Sequence, residues 1–427
     1  MGATQTRPVQ HDTASTPLRQ RPNASSRAPL SSAIPTRDPK APISLYIHIP
    51  FCVHKCHYCD FYSIVDRQDR QEAFTHRAIA ELTAVAALAH NPTLDTIFIG
   101  GGTPTLLAPH LLAQLLTTVE SAFALTDHTE WTIESNPETL TQPIGEVLER
   151  SKVNRVSMGA QSFNPTHLKT LERHHDPASV ERAVTIARAH HIPRLSLDLI
   201  YAVPGQTLPE WADDLERALA FNLDHLSAYA LTYEPNTAMT ARLLRGDFEE
   251  APDELEVDMY NHTLDRIRRA GLDRYEVSNH AKPGLECRHN LAYWRNRDYL
   301  AVGPSASGHI AGTRYKNTPR LDDYLDFSDE GFAPIVEHEP PDPKRSLMDA
   351  LMLGVRTREG LDAPSILTSA DQLHRRAELE SAAQSCAGSG WLTTTDTRWT
   401  LTEPGFHYAD RVARELMGAL VTDDETP

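Results

Sequence analysis

Short apolar runs alternate with amphipathic stretches along the chain from Ser44 onward. Six runs have the composition of β-strands, and they cover residues 44–49, 96–100, 131–135, 153–159, 194–200 and 225–231. Between them, leucine and alanine recur with the spacing of one helix face, near residues 68–90, 109–123, 141–150, 177–190 and 209–221. Strands that alternate with helices predict βα units and a parallel sheet, and six units predict a barrel or part of one.

The pattern changes in the last part of the chain. Residues 253–271 predict a helix, and residues 274–281 predict one further strand. From about residue 343 the pattern becomes helical, with a second helix near 371–385 and a small hairpin at 391–402. Helices followed by a hairpin predict a compact C-terminal module.

Composition narrows the class of protein. Residues 1–42 are rich in proline and in basic and hydroxyl side chains without hydrophobic periodicity, so we predict a disordered tail there. The formal net charge of −17 argues against a general nucleic-acid binder, which needs clustered lysine and arginine. No apolar run approaches the length that spans a membrane. We therefore expect a cytoplasmic protein that binds no nucleic acid.

Three of the five cysteines lie in the segment PFCVHKCHYCDF, directly after the first predicted strand. These are Cys52, Cys56 and Cys59. A structural zinc site needs four ligands, and zinc stays open as an alternative because His54 or His57 could supply the fourth. A disulfide is disfavoured, since the number is odd and the sequence shows no apolar secretory segment. Three thiolates on one loop instead suit an iron–sulfur cluster, in which a four-iron cluster keeps one iron open.

Polar or glycine-rich segments follow the other predicted strands. In a βα barrel the chemistry lies on the loops after the carboxyl ends of the strands. GGGTPT follows the second strand, and its glycines allow a ligand to approach the backbone. Glu134 ends the third strand, Gln161 and Arg173 follow the fourth, and Asp198 interrupts the apolar fifth. An ionised aspartate among leucines needs a partner if it points inward.

The cysteine spacing, with Tyr58 before the last cysteine, resembles the signature of the radical S-adenosylmethionine (SAM) enzymes. The segments YIHIPFCVHKCHYCDF, GGGTPT, IESNP, VNRVSMGAQSF, LDLIYAVPGQT and RTREGL resemble the coproporphyrinogen oxidase (HemN)-like branch of that superfamily. The resemblance implies a 4Fe-4S cluster on the three cysteines. It also implies SAM contacts from Tyr46, Tyr58, Gly101, Gly102, Thr103, Glu134, Gln161, Arg173 and Asp198.

The same resemblance implies an α/β fold, a partial TIM-like (β/α)6 radical SAM barrel with a smaller C-terminal helical, winged-helix-like domain. The expected division has four parts: the tail at 1–42, the partial barrel at 43–240, a barrel extension at 241–340 and the C-terminal HemN-like domain at 341–427. The C-terminal segment shows no basic recognition helix, so DNA binding is not expected of it.

Two groups of proteins share these motifs, and the residue at the position of Phe61 differs between them. Oxygen-independent coproporphyrinogen III oxidases typically carry another cysteine where this chain has Phe61. The HemW family of heme chaperones instead carries H-N-x-x-Y-W, which this chain matches from His289 to Trp294. The resemblance implies that His289 binds heme, since neutral imidazole is a common ligand of heme iron. Cys287 is interpreted as a small buried side chain rather than a second heme ligand, and His309 is a weaker candidate.

We therefore expect a heme chaperone that binds a 4Fe-4S cluster, SAM and heme. The resemblance implies delivery of heme to apo-hemoproteins such as respiratory-chain components, and it leaves a homodimer and peripheral membrane contact open. The alternative is an oxygen-independent coproporphyrinogen III oxidase of porphyrin biosynthesis, which oxidatively decarboxylates propionate side chains. The cysteine segment alone favours a radical enzyme, whereas Phe61 and the HNLAYW segment favour the chaperone.

Overall fold

The computed structural model describes residue 41, residues 43–326 and residues 331–421 of the 427-residue chain. The predicted tail at 1–42 lies outside the described residues except for Ala41. Within the described part, no helix combines the length and the apolar character needed to cross a membrane.

Six strands alternate with helices at the start of the described chain. Their elements are β1 (Ile43–Ile49), α1 (Gln71–Leu88), β2 (Leu94–Gly101), α2 (Pro109–Ala122), β3 (Glu130–Ser135), α3 (Gln142–Glu149), β4 (Arg155–Gln161), α4 (Pro165–Thr170), α5 (Ala178–Ala189), β5 (Arg194–Tyr201), α6 (Leu208–Leu219) and β6 (His225–Ala230). The strands pair in parallel in the order β1 to β6. This arrangement confirms the predicted α/β class and the partial (β/α)6 barrel.

Both faces of β1 are buried, which explains why most of its residues are apolar. Leu45, Ile47 and Ile49 are fully buried and belong to the main hydrophobic core. On the alternate positions, the Ser44 hydroxyl pairs with Thr96 and the Tyr46 ring stacks near Phe98. A parallel sheet covered on both faces buries both sets of side chains, so polar residues enter only where they find partners.

The next elements extend this sheet on both sides. They are α7 (Ala238–Leu244), α8 (Asp253–Arg269), β7 (Asp273–Arg274), β8 (Asn279–Ala281), α9 (Arg288–Trp294), β9 (Tyr299–Val302), β10 (Ser307–Ile310), β11 (Thr313–Asn317), α10 (Leu321–Asp326) and β12 (Ile335–Glu339). The strand order is β12-β11-β10-β9-β1-β2-β3-β4-β5-β6-β8-β7. β9 runs parallel to β1, whereas β8 runs antiparallel to β6.

The single strand predicted at 274–281 was wrong. The chain reverses there, and β7 pairs with β8 in antiparallel register, with Arg274 opposite His280. The buried Glu276 accepts a hydrogen bond from the backbone N–H of Ser278 at 3.1 Å, which stabilises the reversal. The sequence of this segment does not reveal the turn, because the turn depends on a hydrogen bond from Ser278 to the Glu276 carboxylate that the residue pattern does not show.

The C-terminal part has its own hydrophobic core. Its elements are α11 (Pro343–Gly354), β13 (Leu361–Asp362), α12 (Ala363–Gln372), α13 (Arg376–Gly388), β14 (Leu392–Thr394), β15 (Arg398–Leu401) and α14 (Ala409–Gly418). The predicted hairpin at 391–402 is confirmed by the pairing of β14 with β15. The helix predicted near 371–385 was wrong in its bounds, because His374 adopts a positive φ of 56° and separates α12 from α13.

The HNLAYW segment forms α9 at the amino-terminal ends of the barrel strands. Glu130, the first residue of β3, accepts the backbone N–H groups of Arg288 and His289, each at 3.1 Å. The Arg155 guanidinium at the start of β4 lies 3.3 Å from the Glu130 carboxylate, and both side chains are buried. A carboxylate that receives the first N–H groups of a helix stabilises that helix end, so Glu130 holds α9 inside the barrel.

A second buried carboxylate joins the sheet extension to the first helix. Glu81 on α1 accepts hydrogen bonds from Gly303 N–H at 3.0 Å and from the Asn317 amide at 2.7 Å. It also accepts the Tyr324 hydroxyl at 2.6 Å. Burial raises the pKa of Glu81. These contacts connect segments more than two hundred positions apart.

We expect Tyr324→Phe to lower the free energy of unfolding by about 1–3 kcal/mol, because it leaves a buried acceptor on Glu81 without one donor. The measurement is the denaturant midpoint followed by circular dichroism. Tyr408→Phe is the matched control, since Tyr408 is 45% exposed. Equal midpoints for the two variants would contradict a structural role for the Glu81 network.

Candidate functional site

A cavity of about 1050 Å³ lies at the carboxyl ends of the barrel strands. All the predicted cluster and SAM residues except Tyr46 line it. They are Cys52, Cys56, Tyr58, Cys59, Gly101, Gly102, Thr103, Glu134, Gln161, Arg173 and Asp198. Residues 406–411 and 414 of the C-terminal part line the same cavity.

The cysteine loop leaves the sheet after β1 and returns to it. Cys52 N–H donates to the Ile64 carbonyl at 2.9 Å, and Ile64 N–H donates to the Pro50 carbonyl at 2.7 Å. The three cysteines are free thiols of intermediate exposure. Burial raises the pKa of Cys59 to about 11, and the neighbouring thiols add to that shift. Iron must therefore displace protons when thiolates bind it.

Gly102 permits the close contact between the cysteine loop and the end of β2. Its N–H donates to the Ile49 carbonyl at 2.6 Å, and the N–H of Thr103 donates to the Phe51 carbonyl at 2.7 Å. A Cβ atom on Gly102 would lie 2.6 Å from the Phe51 oxygen and 2.8 Å from the Ile49 oxygen. The absence of a side chain is thus a steric requirement of this loop.

A chain of polar contacts joins two of the cysteines beneath the cavity. The Thr103 hydroxyl lies 3.7 Å from the Cys52 sulfur and accepts the Asn136 amide at 3.1 Å. Arg173 donates to the Asn136 side-chain oxygen at 2.6 Å and lies 3.6 Å from the Cys56 sulfur. Sequence reasoning missed Asn136, although it belongs to the IESNP segment directly after β3.

Two half-buried carboxylates face the cavity beside this network. Gly101 N–H donates to Glu134 at 3.1 Å, and the Ser157 hydroxyl donates to Asp198 at 3.3 Å. Burial raises the pKa of Glu134 to about 8, and the nearby Asp198 adds to the shift. Burial also raises the pKa of Asp198 to about 6, against the hydrogen bonds of Ser227 and Ser157. A cationic ligand would favour the charged form of both groups.

Tyr58 and Gln161 complete the inner wall. Tyr58 is half-buried near Arg173, and its burial raises the pKa of its hydroxyl. Gln161 ends β4 with a positive φ of 62°, at a register shift between β4 and β5. A non-glycine residue in the left-handed region at a strand end occurs where the surrounding structure holds it, and such positions cluster at functional sites.

Tyr46 lies beside the cavity without lining it. His48 Nε2 is 2.8 Å from the Tyr62 carbonyl oxygen, so this nitrogen carries the proton. Burial lowers the pKa of His48 to about 4, which keeps the ring neutral. The Tyr46 hydroxyl therefore donates to His48 Nδ1 at 2.9 Å. In this structure Tyr46 supports the cysteine loop through His48, and its predicted contact with SAM stays a prediction.

His289 lies at the other end of the barrel. Its side chain is fully buried, with Nδ1 at 2.8 Å from the Thr96 hydroxyl and Nε2 at 2.9 Å from the Tyr293 hydroxyl. Thr96 gives its own proton to Ser44, so Nδ1 of His289 donates and Nε2 accepts. The lone pair that would bind iron is thus occupied. The structure does not bring His289 to the cysteine cavity, and heme ligation there requires α9 to open.

The remaining candidates near His289 are structural. The Cys287 thiol is buried and donates to Glu130 at 3.5 Å, as the interpretation of a small buried side chain predicted. His309 is also buried, with Nδ1 at 3.2 Å from the Arg297 carbonyl oxygen.

The histidines of the cysteine loop contact other groups than the thiols. His54 Nε2 lies 3.7 Å from Glu172, and its ring stacks on His174. His57 Nδ1 accepts from Arg242 at 3.2 Å. A zinc site that combines these histidines with the cysteines is therefore disfavoured. Three thiols without an imidazole instead match the donor set of a four-iron cluster with one open iron.

Comparison with known proteins gives the class and then the family. A model of the radical SAM superfamily matches residues 46–218. The solved structure of coproporphyrinogen III oxidase (HemN) from Escherichia coli superposes with a TM-score of 0.79, covering 93% of this chain and 96% of that one at 23% identity. Residues 46–218 therefore match a radical SAM domain, and the chain shares the fold of that solved structure.

The curated relatives narrow this class to one family. The heme chaperone HemW of Mycobacterium tuberculosis is 34% identical, over 89% of this chain and 96% of that protein. The heme chaperone HemW of Bacillus subtilis is 31% identical, over 88% of this chain and the whole of that protein. This chain belongs to the HemW family.

We expect Gly102→Ala to prevent assembly of an iron–sulfur cluster, because the added methyl group displaces the Phe51 and Ile49 carbonyls that fix the cysteine loop. The measurement is iron and sulfide bound per chain after anaerobic reconstitution. Gly388→Ala is the matched control, since a Cβ there meets no atom within 4 Å. Full iron loading of the Gly102 variant would contradict the steric argument.

Proposed function

We propose that this protein is a heme chaperone that binds a 4Fe-4S cluster, SAM and heme, and that transfers heme to apo-hemoproteins such as respiratory-chain components. Membership of the HemW family carries the proposal, since relatives named heme chaperone match nearly the whole chain. The convergence of the three cysteines with Arg173, Glu134 and Asp198 on one cavity supports the cofactor part. We further propose that the protein acts in the cytoplasm.

Cys52, Cys56 and Cys59 are the proposed cluster ligands. When bound, the cluster supplies an open iron for the amino and carboxylate groups of SAM and a source of one electron. Arg173 stabilises negative charge on the thiolates, because its guanidinium lies 3.6 Å from the Cys56 sulfur.

The same cavity offers complementary groups for SAM. Glu134 and Asp198 supply negative charge for the cationic parts of the ligand and acceptors for its hydroxyls. The backbone from Gly101 to Thr103 borders the same space and leaves room for a ligand, because its glycines carry no side chain. These groups bind and orient SAM, and they exclude water from it.

Coproporphyrinogen III oxidase activity is the alternative for the same cavity. Phe61 stands at the position where such oxidases typically carry a cysteine, and its side chain is 63% exposed. An aromatic ring there provides an apolar contact and no ligand for iron or substrate. The likeness to the HemN structure, at 23% identity, shows the fold alone. The observation that favours the chaperone is therefore the family membership.

We expect the reconstituted protein to bind heme and pass it to an apo-hemoprotein without turnover of coproporphyrinogen III. The transfer is followed by the Soret band of the acceptor, and the turnover by the appearance of protoporphyrinogen under reducing, oxygen-free conditions. We expect a variant with Cys52, Cys56 and Cys59 all changed to alanine to lose iron loading, which separates the cluster from heme binding.

Robust oxidative decarboxylation of coproporphyrinogen III by the wild type would overturn the chaperone function in favour of the oxidase function. Absence of both heme binding and turnover would overturn both functions. The holo form of the same hemoprotein is the control acceptor, because it can take up no further heme and any spectral change with it reveals non-specific heme release.

We expect SAM to bind more weakly as the pH falls from about 9 to 6. Its cationic groups need ionised carboxylates, and Glu134, with a pKa of about 8, passes from mostly ionised to mostly protonated over this range. Tyr46 and Tyr293 also face Glu134, but burial raises the pKa of each hydroxyl, so neither loses its proton in this range. For each proton that the protein takes up when SAM is released, the affinity for SAM falls by up to about tenfold for each unit by which the pH decreases.

Glu134→Gln tests this assignment on cluster-loaded protein by equilibrium binding of SAM. We expect lower affinity at pH 9 and a flatter pH profile, with the residual slope due to Asp198. Glu138→Gln is the control, because Glu138 is exposed and does not line the cavity. An unchanged profile in the Glu134 variant would remove Glu134 from the SAM site.

A further inference from the structure

The turn after α4 packs against the cysteine loop at the rim of the cavity. The backbone N–H of His57 donates to the Leu171 carbonyl at 3.3 Å, so the two segments are already joined by a hydrogen bond. His54 lines the cavity, whereas Glu172 and His174 lie outside its lining. The side chains that meet between the two segments are therefore at the edge of the cofactor space.

Two imidazoles and one carboxylate converge at this rim. The Glu172 Oε2 atom lies 3.1 Å from His174 Nε2 and 3.7 Å from His54 Nε2. The two rings stack with 4.1 Å between their centroids. One ligand atom from each of the three residues lies within 4.8 Å of the other two. The arrangement thus directs two nitrogens and one oxygen toward one small space.

We propose that His54, Glu172 and His174 bind a divalent transition-metal ion such as Zn²⁺, and that this ion joins the cysteine loop to the turn after α4. None of its ligands is a thiol, so the ion is separate from the iron–sulfur cluster. The site goes beyond the heme-chaperone function and does not depend on it.

The donor set and its spacing suit zinc. Histidine nitrogens and a carboxylate oxygen are regular zinc ligands, and water completes the tetrahedron in sites with three protein ligands. With bonds of about 2.0–2.1 Å, ligand atoms in such a tetrahedron lie roughly 3.3–3.4 Å apart. The contacts of Glu172 with the two histidines, at 3.1 and 3.7 Å, bracket that separation. Side-chain rotation closes the third pair, since His174 is exposed and free to turn.

The Nε2 atom of His54 lacks a partner that a metal ion would provide. This atom is buried, and no hydrogen-bond partner meets it among the residues that the structure describes. A buried polar atom without a partner costs free energy. The Glu172 oxygen at 3.7 Å is too distant for a hydrogen bond but well placed to share a metal ion with this nitrogen.

The other two ligands flank an anchored residue. Arg173 lies between Glu172 and His174 and donates to the Asn136 side-chain oxygen at 2.6 Å and to the Gly159 carbonyl at 2.7 Å. Glu172 itself has a positive φ of 54°, which non-glycine residues adopt rarely. The backbone that carries both ligands is therefore fixed before any ion binds, which reduces the entropy lost on binding.

The position of His54 gives the ion its consequence. His54 lies between Cys52 and Cys56 in the cysteine loop, and Arg173 contacts the Cys56 sulfur from the opposite segment. An ion held by both segments restrains the loop that carries the thiols. We therefore expect the ion to reduce the motion of this loop.

The first experiment titrates Zn²⁺ into cluster-loaded protein under anaerobic conditions, in competition with a chromophoric zinc indicator. The cluster occupies the thiols, so they do not compete for zinc. We expect one zinc ion per chain, bound at least about tenfold more weakly by His54→Ala and by His174→Ala, since even the loss of a residue that only supports a ligand has that effect. His76→Ala is the matched control, because His76 is exposed on α1 outside the three-residue group.

The second experiment replaces zinc by Co²⁺ in the variant with Cys52, Cys56 and Cys59 all changed to alanine. We expect the visible bands of tetrahedral Co²⁺ bound by nitrogen and oxygen, without the near-ultraviolet charge transfer that thiolate ligands produce. Adding His174→Ala removes these bands, whereas adding His76→Ala leaves them. Visible bands that vanish when the cysteines are changed would assign the metal to the thiols and overturn the site.

The restraint on the loop has its own measurement. We expect Zn²⁺ to slow amide hydrogen exchange of residues 52–59 in cluster-loaded wild type and not in His174→Ala. Exchange in α12, which lies in the C-terminal part, serves as the internal control. Unchanged exchange of residues 52–59 in the zinc-bound wild type would overturn the joining of the two segments.

The remaining outcomes also decide the proposal. Absence of zinc binding by the wild type overturns the site, and so does equal binding by wild type, His54→Ala and His174→Ala, which indicates adventitious surface binding only. Circular dichroism and iron loading verify each variant. If His54→Ala loses the cluster, His174→Ala decides, because it lies outside the cysteine loop. Heme transfer is measured separately, so failure of the zinc site leaves the chaperone function standing.

Discussion

Two backbone hydrogen bonds between the ends of β1 and β2 determine where the cysteines can lie. They run from Gly102 and Thr103 to the carbonyls of Ile49 and Phe51, at 2.6 and 2.7 Å. They continue the contact between the strands beyond the sheet, so the loop with Cys52 begins against the glycine segment. Thr103 then reaches Cys52, and the polar chain through Asn136 and Arg173 reaches Cys56. The thiols, the guanidinium and the carboxylates share one cavity because this junction is tight.

The two ends of the barrel have opposite physical characters. At the amino-terminal end the buried Glu130 pairs with Arg155 and accepts the first N–H groups of α9. Removing α9 would leave a buried carboxylate short of partners, which is costly. At the carboxyl end the strands stop at half-buried carboxylates and thiols around open space. Stability is therefore concentrated at one end and ligand-binding capacity at the other, as is typical of βα barrels.

Much of the fold follows from local patterns. The six strands and their helices were predicted closely, since hydrophobic periodicity reports which face of each element is buried. The edges of the sheet were not predicted. β9 pairs with β1 although about 250 positions separate them, and the hairpin of β7 and β8 depends on the buried Glu276. Such pairings depend on distant partners, and no short window of sequence contains both.

The sequence by itself determined the chemistry of the cysteine loop and the strand-end residues that meet it, because parallel strands bring their carboxyl ends to one edge. Only the tertiary structure decided which histidine is accessible. His289 lies in the more distinctive motif, yet Glu130, Thr96 and Tyr293 bury it and occupy its ring nitrogens. His407 has no motif, yet the structure places it in an exposed position at the cavity that the cysteines line. Residue type sets what a side chain can bind, whereas burial and hydrogen-bond partners set whether it is free to do so.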